Sequence, residues 1–182
     1  MIGPIEKRTG NIFLSLTLLY QNHILNTTVL ELPHTIVGAT IAIKIPNPLI
    51  SLPLALLSHF VLDFVPHWNP SLYTETLKLG KLTRKSNLII ALDTTLSLIL
   101  GFFIISRFWP NIEQSIIILL ACFMAVLPDV IEGFYFYLGI KNRLLKRFIK
   151  FQHEHQANIK IIPGLLTQAT TIIICLYFIL SM

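Results

Sequence analysis

Three stretches of this chain are apolar over the length that a lipid bilayer requires. A helix crosses the hydrocarbon core with about 20 mostly apolar residues, and residues 88–106, 115–138 and 162–180 each meet this requirement. The composition agrees, because 13% of the 182 residues are charged, whereas soluble domains carry about 25%. These features exclude a soluble globular protein and a disordered chain. They predict an all-α, polytopic membrane protein.

The stretch 34–66 is also apolar, but Pro46-Asn47-Pro48 interrupts it. Proline and asparagine at this spacing are typical of a turn, and neither flank is long enough to be a comfortable span. We therefore predict a helical hairpin with arms at 34–45 and 49–66. Its two open ends, near His34 and His67, should lie on the same side of the membrane.

The basic residues indicate how the spans are oriented. Most of them fall in two connections, one after the hairpin and one between the last two spans: Lys78, Lys81, Arg84, Lys85, Lys141, Arg143, Lys146, Arg147, Lys150 and Lys160. The connection 107–114 contains Arg107 as its one basic residue. Because basic connections stay in the cytoplasm, we predict a multi-pass protein of the inner (cytoplasmic) membrane. This topology accounts for the basic residues, so we expect no nucleic-acid partner.

Residues 142–156 have the pattern of an amphipathic interfacial helix. Leu144, Leu145, Phe148 and Ile149 recur at helical spacing among basic residues, as in helices that lie on an anionic membrane surface. A solvated linker is the alternative.

Residues 1–30 fit none of the predicted elements. Their apolar run, Ile12 to Tyr20, is too short to span a bilayer. They form either an additional interfacial helix or an extension upstream of a translation start near Val29 or Leu30. We therefore predict one membrane-embedded domain over residues 31–182, preceded by this N-terminal extension.

Histidine and aspartate are concentrated between His59 and His67. His59 and Asp63 are four residues apart, so they share one face of a helix, and His67 follows Pro66. Imidazole nitrogen and carboxylate oxygen at this spacing can bind one Zn²⁺ or a similar cation. The alternative is a hydrogen-bonded His-Asp pair that closes the end of a helix.

The predicted topology brings nearly every histidine and all three aspartates toward one membrane face. Ionisable groups in membrane segments cost about 2.5–3.5 kcal/mol each on insertion scales, and clustered carboxylates repel one another. One or two divalent cations, with zinc favoured, would stabilise such a cluster. The candidate metal ligands are His34, His59, Asp63, His67, Asp129 and His153. The candidate general bases, or groups that orient the ligands, are Asp93, Glu132 and His155.

Some of these residues also have structural interpretations. Asp93, with the two threonines that follow it, suits a node of interhelical hydrogen bonds. Asp129 directly follows a proline, a pattern that favours the start of a helix. His153 and His155 are two residues apart and cannot share a helical face. We expect one of them to be a ligand or a proton shuttle, and His153 continues the apolar row of the amphipathic segment.

Three motifs carry a resemblance to a known family: His34-Thr35 with Gly38, Leu127-Pro128-Asp129 with Glu132, and His153 with His155 after the basic segment. Over roughly residues 32–182 they are similar to motifs of the YdjM-like inner-membrane proteins, with Glu132 where that family usually has a second aspartate. The family is classed as metal-dependent hydrolases, and some members are described as LexA-binding. The resemblance implies a divalent metal, hydrolase activity and, as in those members, a cytoplasmic protein partner.

A second resemblance is local. His59, Asp63, Pro66 and His67 are similar to a helix of zinc-dependent phospholipase C and the S1/P1 nucleases, in which the His and Asp are zinc ligands. That resemblance implies zinc and a phosphoester substrate.

We therefore predict a membrane-embedded, metal-dependent hydrolase with its site at the cytoplasmic face. Its substrate would be a phosphoester or a lipid-linked molecule, and membrane lipids would be its partners. The alternative is a non-enzymatic membrane protein with a structural metal site, which serves as an interaction platform or an ion pathway.

Overall fold

The computed structural model describes residues 30–70 and 72–181. The predicted N-terminal extension, apart from Leu30, therefore lies outside the described residues. The described part of the chain is helical, which confirms the predicted all-α class. Its helices are α1 (Glu31–Lys44), α2 (Pro48–Phe64), α3 (Leu72–Leu79), α4 (Arg84–Ser106), α5 (Ile112–Phe136), α6 (Arg143–His155) and α7 (Ile161–Leu180).

Within the described residues, α4, α5 and α7 are long and apolar enough to cross a membrane. They correspond to the predicted spans, although α4 and α5 begin several residues earlier than predicted. Side-chain caps explain the difference, because Thr83 accepts a hydrogen bond from the Ser86 amide and Asn111 accepts one from the Gln114 amide. A hydropathy profile does not detect such polar first turns. The short helix α3 was not predicted, since its mixed composition gives no apolar run.

The hairpin prediction is confirmed by α1 and α2. Asn47 ends the connection between them and accepts a hydrogen bond from the Leu49 amide, while Pro48 occupies the first turn of α2. α2 is a shorter apolar helix than the three spans. The open ends of the two arms are close together, as shown by the 3.9 Å between His34 Nε2 and Asp63 Oδ1.

Helix α1 lies at the centre of the bundle and packs against α2, α4, α5 and α7. Its close approach to α5 depends on Gly38, where a Cβ atom would lie 2.6 Å from the Ala121 carbonyl oxygen and 2.8 Å from the Ala125 Cβ atom. Small residues at helix contacts allow such approaches in membrane proteins. The result is that His34, one turn before Gly38, faces the turn of α5 that follows Ala125.

Helix α6 is amphipathic, as its sequence predicts. Leu145, Ile149 and Gln152 are buried, whereas Leu144 and the basic residues are exposed. The segment that follows α6 is tied to the end of α2, because the Ala157 amide donates to the Asp63 carbonyl and the His67 amide donates to the Ala157 carbonyl. These bonds hold the C-terminal end of α6 against the open end of the hairpin.

Candidate metal centre

Helix α2 presents a buried stripe of small and polar residues toward the bundle. Ser51, Ala55, His59 and Asp63 recur at every fourth position and are all buried, so they lie on one helical face. The first two are small and allow close packing in the apolar half of the helix. The last two are the ionisable pair identified in the sequence, and they end the stripe at the open end of the hairpin.

Three helices converge on this pair. His59 Nε2 lies 3.5 Å from Asp63 Oδ2 on the same helix and 3.7 Å from Asp129 Oδ1 of α5. His34 of α1 contributes a ring that lies 4.4 Å from the His59 ring, centroid to centroid. Candidate ligand atoms of His34, His59 and Asp129 all lie within 4.8 Å of one another. We refer to these three residues as the triad.

The hydrogen bond of His59 defines which nitrogen faces the carboxylates. His59 Nδ1 lies 2.8 Å from the Ala125 carbonyl oxygen. A carbonyl oxygen can only accept, so Nδ1 carries a proton and donates it. In the neutral ring Nε2 then directs a lone pair toward Asp63 and Asp129. Metal-binding histidines are commonly oriented in this way, with the second ring nitrogen bonded to a backbone carbonyl.

Two carboxylate oxygens of this cluster lack hydrogen-bond partners. Asp63 Oδ1 and Asp129 Oδ2 are buried and accept no hydrogen bond from the described part of the chain. The ion-pair contacts found for these two carboxylates there are to histidine, not to Lys or Arg. A buried, uncompensated carboxylate costs several kcal/mol, so this donor set fits a cation.

The spacing of the donor atoms also fits a small ion. Bonds of about 2.0–2.2 Å to nitrogen and oxygen give a tetrahedral edge of about 3.4 Å. The contacts from His59 Nε2 to the two aspartates, 3.5 and 3.7 Å, are close to that edge. The buried triad could therefore hold a metal ion, with Asp63 beside it.

Gln152 is a member of this cluster that sequence reasoning missed. Its amide nitrogen lies 3.3 Å from His59 Nε2, and its amide oxygen is buried without a hydrogen-bond partner among the described residues. On a helix, the face that carries Leu145 and Ile149 can continue with a residue either three or four positions after Ile149. The prediction extended it to His153, but the buried face continues to Gln152.

A cavity of about 590 Å³ borders the triad between α1, α4 and α5. We call it the polar cavity, and its polar lining includes Glu31, Asn87, Thr94, Asp129, Glu132 and Tyr137. Asp129 thus belongs both to the triad and to the cavity wall. Glu132 is three residues further along the same face of α5. It is only 6% exposed, and no hydrogen bond to it occurs within the described chain.

Two other candidates occupy neighbouring positions with different contacts. Asp93 accepts hydrogen bonds from the amides of Glu31 and Leu32, so it caps the first turn of α1, where the preceding Leu30 has no side chain that could do so. His67 donates from Nδ1 to the Val65 carbonyl over 2.6 Å. Burial lowers the pKa of His67 below its ordinary value, which favours a neutral ring.

His153 and His155 are not brought to the triad. The His153 ring lies 4.6 Å from the Tyr73 ring, centroid to centroid, and burial lowers the pKa of His153. His155 is exposed, donates to the Phe151 carbonyl and stacks on the Phe151 ring. The structure therefore groups His34, His59, Asp63 and Asp129, places Glu132 and His67 nearby, and separates the two late histidines from them.

Comparisons of the chain with protein-family models, with curated proteins and with solved structures found no match. These comparisons therefore add nothing to the functional argument. The described residues form a helical protein that has three helices able to cross a membrane and a buried His/His/Asp group that could bind a metal ion.

Proposed function

We propose that this protein is a membrane-embedded, metal-dependent hydrolase whose site opens toward the cytoplasmic face and acts on a phosphoester or lipid-linked substrate. The observation that carries the proposal is the double position of Asp129, in the triad and in the wall of the polar cavity. Structural metal sites are closed, whereas catalytic sites keep a position open to substrate. The polar cavity provides that access.

The triad residues would hold the ion, and zinc is the ion favoured by two imidazoles and a carboxylate. A divalent ion bound there supplies a Lewis acid for a phosphoryl or acyl oxygen and acidifies water. His59 is oriented for ligation by its bond to the Ala125 carbonyl. Glu132, buried in the cavity wall beside Asp129, is the residue that we assign as proton acceptor.

Two resemblances support this proposal. The motifs around His34, Asp129 and Glu132 are similar to those of the YdjM-like hydrolases, and the motif around His59 and Asp63 is similar to that of zinc-dependent phosphodiesterases. The substrate class rests on the latter likeness and on position, because the cluster lies at the helix ends that adjoin the two basic connections. A fold-level analogy alone would not assign a substrate.

The first test is the metal content of the purified protein. We expect stoichiometric divalent metal in the wild type and a loss of at least tenfold in His59→Ala, which removes one donor of the triad, and in Asp129→Asn, which removes the negative charge of another. His155→Ala is the matched control, since this exposed histidine lies outside the triad. Elemental analysis after gel filtration measures the ratio. Metal that both triad variants retain would refute this centre.

The second test is turnover on a panel of phosphoesters and acyl esters. Glu132→Gln should keep its metal and lose activity by a factor of about 10²–10⁴, the usual contribution of general acid–base catalysis. Wild-type activity that depends on added metal is the expected reference. Activity in Glu132→Gln equal to that of the wild type would remove Glu132 from the mechanism.

One observation favours a non-enzymatic alternative. His34, His59 and Asp63 are 1%, 0% and 3% exposed, which is the degree of closure found in structural metal sites. In that case the metal would join α1, α2 and α5, and the protein would serve as an interaction platform. Stoichiometric metal without turnover on the whole panel would support this alternative and contradict the hydrolase.

A further inference from the structure

A groove in the apolar part of the bundle continues from the polar cavity. It encloses about 150 Å³ between α4 and α5, with α1 as its floor. We call it the apolar groove, and its apolar walls include Leu98, Phe102, Ile105, Leu119, Phe123 and Val126. Glu31 and Thr94 line both the apolar groove and the polar cavity. The two spaces therefore meet at these residues, on the α4 side of the triad.

The length of the apolar groove is that of a single lipid chain. From Thr94 to Ile105, α4 rises about 16 Å at 1.5 Å per residue. This is roughly half of the 30 Å hydrocarbon thickness of a bilayer, and therefore close to the depth that one leaflet's chains occupy. Both walls belong to helices that can cross a membrane. An extended hydrocarbon chain matches the length of the apolar groove and its apolar, membrane-facing walls.

A buried hydroxyl indicates where the polar part of such a ligand begins. Ser97 lines the apolar groove one turn beyond Thr94 and is 4% exposed. Its Oγ atom has no hydrogen-bond partner in the described part of the chain, and a buried hydroxyl without a partner is costly. Serine hydroxyls in helices usually donate to a carbonyl one turn earlier, as Thr95 and Ser106 do here. The Ser97 hydroxyl is therefore free to donate to a ligand oxygen.

The charges at the polar end define the head of the ligand. Glu31, Asp129 and Glu132 line the polar cavity, and no Lys or Arg is among the described residues that line either space. A phosphate would be repelled by these carboxylates unless a divalent cation lies between them. A cation at the triad would therefore be needed for a phosphate to bind, and it would select phosphorylated lipids over neutral ones.

We propose that the apolar groove and the polar cavity together bind one phosphorylated membrane lipid. Its hydrocarbon chain lies in the apolar groove, the oxygens that link chain to phosphate lie at Ser97 and Thr94, and the phosphate lies beside Asp129. The position of the phosphate rests on the metal centre of the proposed function. The position of the hydrocarbon chain rests on the apolar groove alone.

Photo-crosslinking tests the chain end. Purified protein in nanodiscs is labelled with phosphatidic acid that carries a diazirine in its acyl chain, and crosslinked peptides are mapped by mass spectrometry. We expect labelling to concentrate on residues 98–105 and 119–126. Leu98→Trp fills the apolar groove and should reduce this labelling at least fivefold. Ile99→Trp is the matched control, because Ile99 is also exposed but does not line the apolar groove.

The same experiment distinguishes a specific lipid from ordinary bilayer contact. Labelling spread evenly over the exposed faces of α4, α5 and α7, or reduced equally by Leu98→Trp and Ile99→Trp, would overturn the proposal. Because Trp at either position faces lipid, both variants should fold. Val126→Trp, on the opposite wall, provides a second blocking variant.

Three further probes test the phosphate end. A diacylglycerol probe has the same chains without phosphate and should label the apolar groove at least fivefold less than phosphatidic acid when metal is bound. After chelation this preference should be lost, and phosphatidic acid should label no more strongly than diacylglycerol, because the carboxylates then repel the phosphate. A preference for phosphatidic acid that persists without metal, or that is absent with metal, would contradict the position of the phosphate. Photoreactive prenyl monophosphate and prenyl alcohol provide the same comparison for prenyl chains. Stronger labelling by phosphatidic acid would identify an acyl lipid as the ligand, and stronger labelling by prenyl monophosphate would identify a prenyl lipid.

The outcomes separate this inference from the proposed function. Labelling of the apolar groove that is metal-dependent and phosphate-selective, in a protein without turnover, would support the lipid site and contradict the hydrolase. Turnover of water-soluble phosphoesters by a protein whose groove is not labelled would contradict the lipid site and leave the hydrolase intact.

Discussion

The chemistry of the centre depends on one nitrogen, His59 Nε2. Its counterpart Nδ1 is held by the Ala125 carbonyl, so Nε2 faces Asp63, Asp129 and the Gln152 amide. Three polar groups meet at this atom, and none of them is a permanent cation. Either a metal ion or a proton must therefore balance the carboxylates.

Gln152 provides a prediction at the scale of a single residue. Gln152→Leu removes an amide that lies beside His59 Nε2 and whose oxygen is buried without a hydrogen-bond partner among the described residues, and groups next to a metal site typically contribute a factor of about 10–100 in affinity. We expect metal affinity to fall by about tenfold while full occupancy is still reached at high metal. Competition with a chromophoric chelator measures this affinity.

Phe151→Leu is the control for this experiment, because Phe151 is the exposed neighbour of Gln152. Equal affinities for Gln152→Leu and the wild type would show that the amide does not contribute to metal binding.

At the scale of helices, the triad residues meet because α1, α2 and α5 approach closely. Gly38 allows α1 to lie against Ala121 and Ala125, and His34 and Asp129 each lie one turn from that contact. Asp93 of α4 caps the start of α1. The residue expected to act as a base or ligand orienter therefore also orients the helix that carries His34.

Gly38→Ala should destabilise the fold, because its methyl group would overlap the Ala121 carbonyl and the Ala125 methyl group. Overpacking of this kind costs about 1–3 kcal/mol, so we expect a lower melting temperature and a lower metal affinity. Thermal unfolding followed with a thiol-reactive dye is suitable, since Cys122 is buried in the folded protein.

Gly101→Ala is the matched control for this change. Its methyl group would meet the Thr35 methyl group at 3.5 Å, an ordinary contact, so its melting temperature should be close to that of the wild type. Equal melting temperatures for Gly38→Ala and Gly101→Ala would contradict the close packing of α1 on α5.

Removal of metal should also loosen the contact between these helices. A ligand that binds only the folded state stabilises it by about 2.7 kcal/mol when its concentration is 100 times its dissociation constant. Chelation should therefore lower the melting temperature of the wild type. It should have little effect on His59→Ala, in which the triad is incomplete. An equal response of the two proteins to chelator would argue against a bound ion in the wild type.

At the scale of the molecule, the described part of the chain combines three helices that can cross a membrane with buried ionisable groups gathered toward one end of the bundle. α4, α5 and α7 satisfy the length and composition of spans, and the triad lies where the open end of the hairpin meets α5. The two basic connections lie at the same end, because an even number of crossings separates them. This arrangement predicts a cytoplasmic site.

Cysteine accessibility tests the orientation of the molecule. In a background in which Cys122 and Cys175 are replaced by alanine, we expect Arg107→Cys to react with an impermeant maleimide in intact spheroplasts. Lys81→Cys and Lys146→Cys should react only after lysis, because both belong to the basic connections. All three positions are exposed. The reverse pattern would place the triad on the opposite face of the membrane.

Local sequence patterns were sufficient to predict three features: the spans, the hairpin around Pro46-Asn47-Pro48, and the shared helical face of His59 and Asp63. These features depend on neighbours within a few turns, where hydropathy and 3.6-residue spacing act directly. Helix ends were less predictable, because Thr83 and Asn111 extend α4 and α5 through polar caps that hydropathy does not detect. The metal-ligand and catalytic roles of the candidate residues remain predictions that the experiments above test.

Only the tertiary structure decided which distant side chains meet. The rotation of α6 brings Gln152, rather than His153, against His59, and a difference of one residue turns a side chain by about 100° around a helix. The approach of α1 to α5 at Gly38 brings His34 near Asp129, and the start of α1 employs Asp93 as its cap. Such outcomes depend on how helices cross and rotate against one another, which is determined by the packing of the whole bundle rather than by the local pattern of any one helix.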